Sequence, residues 1–202
     1  MALPLEARRP FNFAHALTSL RLILTPVFLL AIEASTQQPN TASAGLVIGL
    51  FLLICASDYY DGPLARALGR SSDFGKVLDN LADITFLLVT LTYLVRRAAA
   101  PWWIPAAIAL AFGQYTVDSW LLSGKGSNVA LVPNPIGHWA GILNYIFTGI
   151  LALHAALQQQ LLPTLLYEGM LTFWLMYLLL AISMRFRFFL RTYRTPSSFH
   201  RP

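Results

Sequence analysis

A polytopic, all-helical membrane protein with six transmembrane helices is predicted by three features of the 202-residue chain. Hydrophobic residues make up 56% of it and charged residues only 11%, whereas soluble domains carry about 25% charged residues. The apolar residues gather into six runs, each near the roughly 20 helical residues that a bilayer core of about 30 Å demands. Polar or turn-forming residues separate the runs. Backbone groups in lipid must satisfy one another, which makes each run a helix. A soluble enzyme, a disordered tail and a disulfide-stapled secreted domain are thereby excluded. Cys55 is the single cysteine, so no intrachain disulfide forms. The net charge of +5 suits contact with anionic lipid headgroups, and no interleaving of aromatic and basic residues points to nucleic acid.

The spans are expected near 16–34, 43–67, 73–95, 101–122, 137–157 and 163–185. The first carries Arg21 and Pro26 and lacks a small-residue cleavage pattern, so it is expected to stay on the chain, with the mature protein beginning near Met1. Thr36-Gln37-Gln38-Pro39-Asn40 divides it from the second, on which Gly45 and Gly49 read as small-residue helix packing ahead of a dimer contact. Gly69-Arg70-Ser71-Ser72 closes the second run and Arg96-Arg97 the third. Trp102 and Trp103 then read as interfacial anchors for the fourth, which stops at Gly124-Lys125-Gly126-Ser127-Asn128. The fifth carries a small or polar stripe of His138, Gly141, Tyr145 and Thr148 and ends at Gln158-Gln159-Gln160. The expected organisation is an interfacial segment over 1–15, a six-helix domain over 16–185 and a basic tail over 186–202.

Six spans put both termini on one side. Arg8, Arg9, Arg21, Arg66, Arg70, Lys76, Lys125, Arg185, Arg187, Arg191, Arg194 and Arg201 fall at that face, against Arg96 and Arg97 at the other. The positive-inside rule makes the richer face cytoplasmic.

Five of the nine acidic residues, Asp58, Asp61, Asp73, Asp79 and Asp83, lie within 26 residues of one another. A carboxylate at membrane depth costs about 2.5–3.5 kcal/mol on insertion scales and is kept for binding or catalysis. Asp58 and Asp61 are i,i+3, and Asp79 and Asp83 are i,i+4, so each pair shares a helix face. In an antiparallel hairpin turning near Arg70 the pairs stand at matching depths, roughly 13 Å and 18–20 Å of helix from the turn. Four carboxylates at close range do not all ionise without cations. Oxygen-only ligands select hard divalent ions such as Mg²⁺ or Mn²⁺, one or two of them. Gly62, Ala65 and Gly75 let a bulky ligand approach the backbone, and Arg66 supplies a cation suited to phosphate.

The stretch Asp58-Tyr59-Tyr60-Asp61-Gly62-Pro63-Leu64-Ala65-Arg66, eight residues, and Gly75-Lys76-Val77-Leu78-Asp79-Asn80-Leu81-Ala82-Asp83 fits D-x2-D-G-x2-A-R-x8-G-x3-D-x3-D at every fixed position. In this the chain resembles the CDP-alcohol phosphatidyltransferase family. Asn12, Leu17, Thr18, Arg21 and Pro26 are similar to that family's N-x4-L-T-x2-R-x4-P at the start of the first helix. The resemblance implies a homodimer of six-helix subunits in the bacterial inner membrane, with the site facing the cytoplasm. It implies transfer of a phosphatidyl or similar group from a CDP-linked lipid such as CDP-diacylglycerol to an alcohol, releasing CMP. Asp58, Asp61 and Asp79 would then hold the metal, as two ions of Mg²⁺ or Mn²⁺. Asp83 would be a shared ligand or the general base on the acceptor hydroxyl. Thr18, Gly62, Ala65, Arg66 and Gly75 would surround the CDP.

The acceptor depends on the second half of the chain. Members acting on glycerol phosphate often carry Gly-Lys-x-Lys-Thr at the start of the fifth helix, where this chain has Gly137-His138-Trp139-Ala140-Gly141. Asn80 and Ile84 also differ from the Pro and Lys common beside the third and fourth acids. Glycerol 3-phosphate stays narrowly ahead of inositol phosphate, serine or an amino alcohol. Asp118, Lys125, His138 and Arg185 are the candidate acceptor contacts, with a salt bridge from Asp118 to Lys125 or Arg185 as the structural alternative. An intramembrane prenyltransferase would also use Asp-rich helices, but it leaves Gly62, Ala65, Arg66 and Gly75 without a reason. A cation transporter would show inverted repeats or broken helices, and neither is evident.

Overall fold

A computed structural model describes the backbone of residues 13–67, 73–122, 135–158 and 161–194, and the side chains of 18–60, 77–118, 139–158 and 161–190. The described residues form six helices and no strand: α1 (Phe13–Gln37), α2 (Thr41–Ala67), α3 (Asp73–Arg96), α4 (Trp103–Leu122), α5 (Pro135–Ala156) and α6 (Thr164–Arg194). All but α4 contain a described stretch long and apolar enough to cross a membrane. α4 itself is 20 residues long.

Local chemistry sets the helix ends. Asn40 caps α2: the Ser43 N–H donates to Asn40 Oδ1 at 2.7 Å, and the Asn40 N–H donates to Ser43 Oγ at 3.2 Å. This reciprocal pair satisfies donors that the first turn would leave unpaired. Pro135 opens α5, where its missing N–H costs nothing. After α3 the Ala99 N–H donates to the Leu94 carbonyl at 2.9 Å and the Ala98 N–H to the Val95 carbonyl at 3.0 Å, with Ala98 at φ 54°. That is a Schellman ending with alanine where glycine is usual. Ala98→Gly is therefore expected to stabilise the protein by about 1 kcal/mol, less what glycine adds to unfolded-chain freedom. A thermal melt in detergent checks this, and an unchanged or lower midpoint counts against it.

Lipid is as apolar as the helices, so close packing and polar ties hold the bundle together. α1 packs against α2, α3 and α5, while α3 and α6 each pack against both α4 and α5. The Phe28 ring of α1 lies 6.1 Å from Phe51 of α2 and 5.8 Å from Phe86 of α3, and Phe86 stacks on Tyr145 of α5 at 5.5 Å. Gly149 allows α5 to approach α2, since a Cβ there would stand 2.5 Å from the Phe51 ring. Trp174 of α6 donates its indole N–H to Asn144 Oδ1 of α5 at 2.8 Å in the buried interior.

A second polar group ties the helices at the end where α1 and α3 finish. Glu33 accepts from the Tyr93 hydroxyl and lies 3.5 Å from Arg97, whose guanidinium also donates to Thr36 Oγ1 at 2.9 Å. His154, also there, is buried, accepts the Leu162 N–H at 3.3 Å and stacks on Tyr167. These residues fasten the bundle far from the acid cluster.

Three expectations change. α6 continues to Arg194, so the stretch from 186 to 194 of the expected basic tail is helical. Trp102 is exposed, as an anchor would be, but Trp103 packs against the core. Gly45 and Gly49 face open space rather than a helix of this chain. The reason is rotational: Ala44, Val47, Ile54 and Ser57 form the buried stripe of α2, and the two glycines lie on the other side of the helix. Residues 1–12 and 195–202 of the expected terminal segments lie outside the described residues.

Candidate functional site

Side chains from four helices meet at one place. Asp58 lies on α2, and Asp79 and Asp83 lie one turn apart on α3; carboxylate oxygens of the three fall within 4.8 Å of one another. Arg21 of α1 projects into the cluster. Its Nη2 lies 2.9 Å from Asp58 Oδ1, its Nη1 donates to Asp79 Oδ1 at 3.2 Å, and Nη1 also pairs with Asp83 Oδ1. From α5, the Tyr145 hydroxyl donates to Asp83 Oδ1 at 2.8 Å.

The placement of Arg21 corrects an expectation. It is 0% exposed rather than one of twelve cations along the membrane face. Burying a guanidinium costs several kcal/mol unless it is paired, and three carboxylates compensate this one. The Asp58, Asp79 and Asp83 side chains are 35%, 34% and 25% exposed, so a ligand can reach them. Three carboxylates against one guanidinium leave two negative charges in excess. Hard oxygen donors with that surplus fit a divalent cation. Arg21 Nε is buried without a hydrogen-bond partner, which leaves one donor unused at the cluster.

Thr18 is buried on α1, three residues before Arg21 and on the same face. Asp61, Gly62, Ala65 and Arg66 belong to the last turns of α2, and Gly75 to the first turn of α3, but their side-chain surroundings lie outside the described residues. So do all of Lys125 and the side chain of His138.

Asp118 and Arg185 form a separate, buried pair between α4 and α6, with Arg185 Nε 3.3 Å from Asp118 Oδ2. The guanidinium also sits 4.3 Å over the Tyr115 ring. Of the two readings of Asp118, the salt bridge to Arg185 is the one observed. Arg185, like Arg21, is buried rather than interfacial. A cavity of about 660 Å³ between α3, α4, α5 and α6 joins the two clusters, with Asp83 and Tyr145 on one side and Gln114 and Arg185 on another.

Sequence reasoning missed two participants. Arg21 was visible as an arginine inside an apolar run, but counting it toward orientation hid the question of its partner. Tyr145 stood in the polar stripe of the fifth span, and no local pattern connects it to an aspartate 62 residues away.

The family model for CDP-alcohol phosphatidyltransferases matches residues 11–185. A probable phosphatidylglycerophosphate synthase of Mycobacterium tuberculosis is 36% identical over 97 residues, covering 48% of this chain and 46% of that one. The CDP-diacylglycerol--glycerol-3-phosphate 3-phosphatidyltransferase of Bacillus subtilis is 29% identical over 146 residues, 66% of this chain and 74% of the other. The protein of the same name from Escherichia coli is 31% identical over 126 residues, 60% and 66% of the two chains. The chain thus spans between about half and three quarters of the length of these relatives. Because the family match runs from before α1 to Arg185 on α6 and takes in every helix that builds the carboxylate cluster, the chain belongs to the CDP-alcohol phosphatidyltransferase family.

Proposed function

We propose that this chain transfers a substituted phosphate group from a CDP-linked lipid, CDP-diacylglycerol by analogy with the relatives, to an alcohol, releasing CMP. The observation that carries the reading is the convergence of Asp58, Asp79 and Asp83 around Arg21 at the edge of a cavity large enough for an acceptor. Glycerol 3-phosphate, named for two of the relatives, is the first acceptor to test.

In this reading Asp58, Asp61, Asp79 and Asp83 hold two divalent ions, Mg²⁺ or Mn²⁺. Bound there, the ions would neutralise the donor diphosphate and stabilise the departing CMP. Thr18, Gly62, Ala65, Arg66 and Gly75 surround the CDP. Tyr145 and Arg21 both engage Oδ1 of Asp83, which leaves Oδ2 to accept the acceptor's hydroxyl proton. The freed oxygen forms the new bond to phosphorus as the bond to CMP breaks. Arg185, held by Asp118 and Tyr115, faces the same cavity and binds an acceptor phosphate, with Lys125 and His138 as further contacts.

The orientation follows from charge. Without the buried Arg21 and Arg185, ten basic residues remain against Arg96 and Arg97, which still favours cytoplasmic termini and a cytoplasmic site in the bacterial inner membrane. Pairing into a homodimer rests on the family resemblance. The test of function uses purified protein with Mn²⁺ or Mg²⁺, CDP-diacylglycerol and a panel of alcohols, scored for CMP and lipid product. No CMP with any acceptor, while metal and donor demonstrably bind, rejects the reading.

A further inference from the structure

Asn144 of α5 lines the cavity beside Asp83, together with its neighbour Tyr145. Its amide has only one possible orientation. Oδ1 accepts the Trp174 indole N–H at 2.8 Å, and because an indole nitrogen only donates, the two ends of the amide cannot be exchanged there. Trp174 is itself fully buried, with its ring 5.1 Å from that of Phe147, so the group that fixes the amide is held in turn.

Nδ2 is the end left for a ligand. Among the described residues it has no acceptor, and it is not sealed away from the cavity. One turn earlier on α5 the cavity wall is Gly141, where a Cβ would meet no atom within 4 Å, so space is open on that side of the amide. Tyr145, the next residue, holds Asp83 Oδ1 through its hydroxyl. An alcohol with its reacting hydroxyl against Asp83 therefore shares the cavity with the Asn144 N–H. An amide N–H fits a hydroxyl oxygen, gains nothing from a methylene, and opposes an ammonium, which has donors only. Arg185 adds a cation to the same wall, and Asp83 is the one carboxylate among the described lining residues.

We propose that Asn144, oriented by Trp174, is a specificity-determining residue. Its Nδ2 donates to a hydroxyl on the carbon next to the reacting hydroxyl, so the site prefers acceptors with oxygen there over those with hydrogen or, as in serine, an ammonium. The inference rests on the transferase reading above and adds to it the rule by which acceptors are chosen.

The test measures kcat/KM for CMP release by the full chain with Mn²⁺ and CDP-diacylglycerol. Three acceptors differ only at the carbon in question: glycerol 3-phosphate, 3-hydroxypropyl phosphate, which has hydrogen there, and 2-amino-3-hydroxypropyl phosphate, which has an ammonium. The parent is expected to prefer the hydroxyl over hydrogen by about three- to tenfold, the worth of one neutral hydrogen bond, and to use the ammonium least. In Asn144→Leu, of similar size but without a donor, the preference for hydroxyl over hydrogen is expected to fall to about one. Asn144→Asp keeps an oxygen for Trp174 and puts a second oxygen where Nδ2 was. There the ratio of ammonium to hydroxyl acceptor is expected to rise about ten- to hundredfold, and this variant decides the matter if Asn144→Leu does not fold. A parent that does not distinguish hydroxyl from hydrogen overturns the proposal. So does an equal loss on both of those acceptors in Asn144→Leu, which would assign the amide to the shared phosphate or to structure alone. An unchanged order of acceptors in Asn144→Asp overturns it as well. Absence of CMP with every acceptor, while metal and donor bind, strikes the transferase reading itself.

Discussion

Asp83→Asn is expected to slow CMP release by about a hundred- to ten-thousandfold, the range associated with losing a positioned general base. Asparagine keeps the shape of the side chain and an oxygen that can accept from Tyr145, so the four-helix junction has no steric reason to open. It removes the carboxylate that would take the acceptor proton. Asp79→Asn tests the neighbouring role. It weakens the negative surplus without touching the proposed base, so the Mn²⁺ concentration for half-maximal rate is expected to rise at least about tenfold, as even changes behind a metal ligand do. Turnover at varied Mn²⁺, together with Mn²⁺ titration followed by electron paramagnetic resonance, separates the two. Full turnover in Asp83→Asn with metal binding intact rejects Asp83 as the base.

Arg21→Ala should be the most damaging single change to stability among the described residues of the site. It leaves Asp58, Asp79 and Asp83 crowded together with no guanidinium between them, and breaking a buried charge network in this way costs about 3–5 kcal/mol. A divalent cation replaces part of that lost positive charge. At one fixed Mn²⁺ concentration the variant, whose carboxylates have lost their guanidinium, is expected to bind the ion more tightly and so to gain more in a thermal melt than the parent, about 2.7 kcal/mol where that concentration is a hundred times its Kd. Arg21→Lys keeps the charge but not the planar fork that reaches three carboxylates, and its midpoint should fall between the two. A variant that melts like the parent without metal removes Arg21 from the role of counter-ion.

Much of the architecture was legible because lipid restricts the choices. Apolar runs near twenty residues long become helices, since no other element closes its own backbone hydrogen bonds there. The first and third runs, expected to end near 34 and 95, close within a few residues of the ends of α1 at Gln37 and α3 at Arg96. The last helix was less legible, because Arg185, Arg187, Arg191 and Arg194 resemble an interfacial tail by composition. Arg185 has a buried partner in Asp118, and that pairing takes it off the interface.

The spacing of Asp58, Asp79 and Asp83 was enough by itself to put carboxylates on shared helix faces and to call for a cation, because helical periodicity is a local property. Which side chains close the cluster was decided by tertiary structure. Arg21 comes from α1 and Tyr145 from α5, each about sixty residues from Asp83 along the chain. They reach it because α1 packs against both α2 and α3, and α5 packs against α3. Helix packing in lipid depends on shape and on a few polar ties rather than on a periodic pattern, so a single sequence carries no local sign of it. The same holds for the cavity: its lining residues are scattered along the sequence from Asn80 to Arg185, and only the packing of α3 to α6 gathers them beside Asp83.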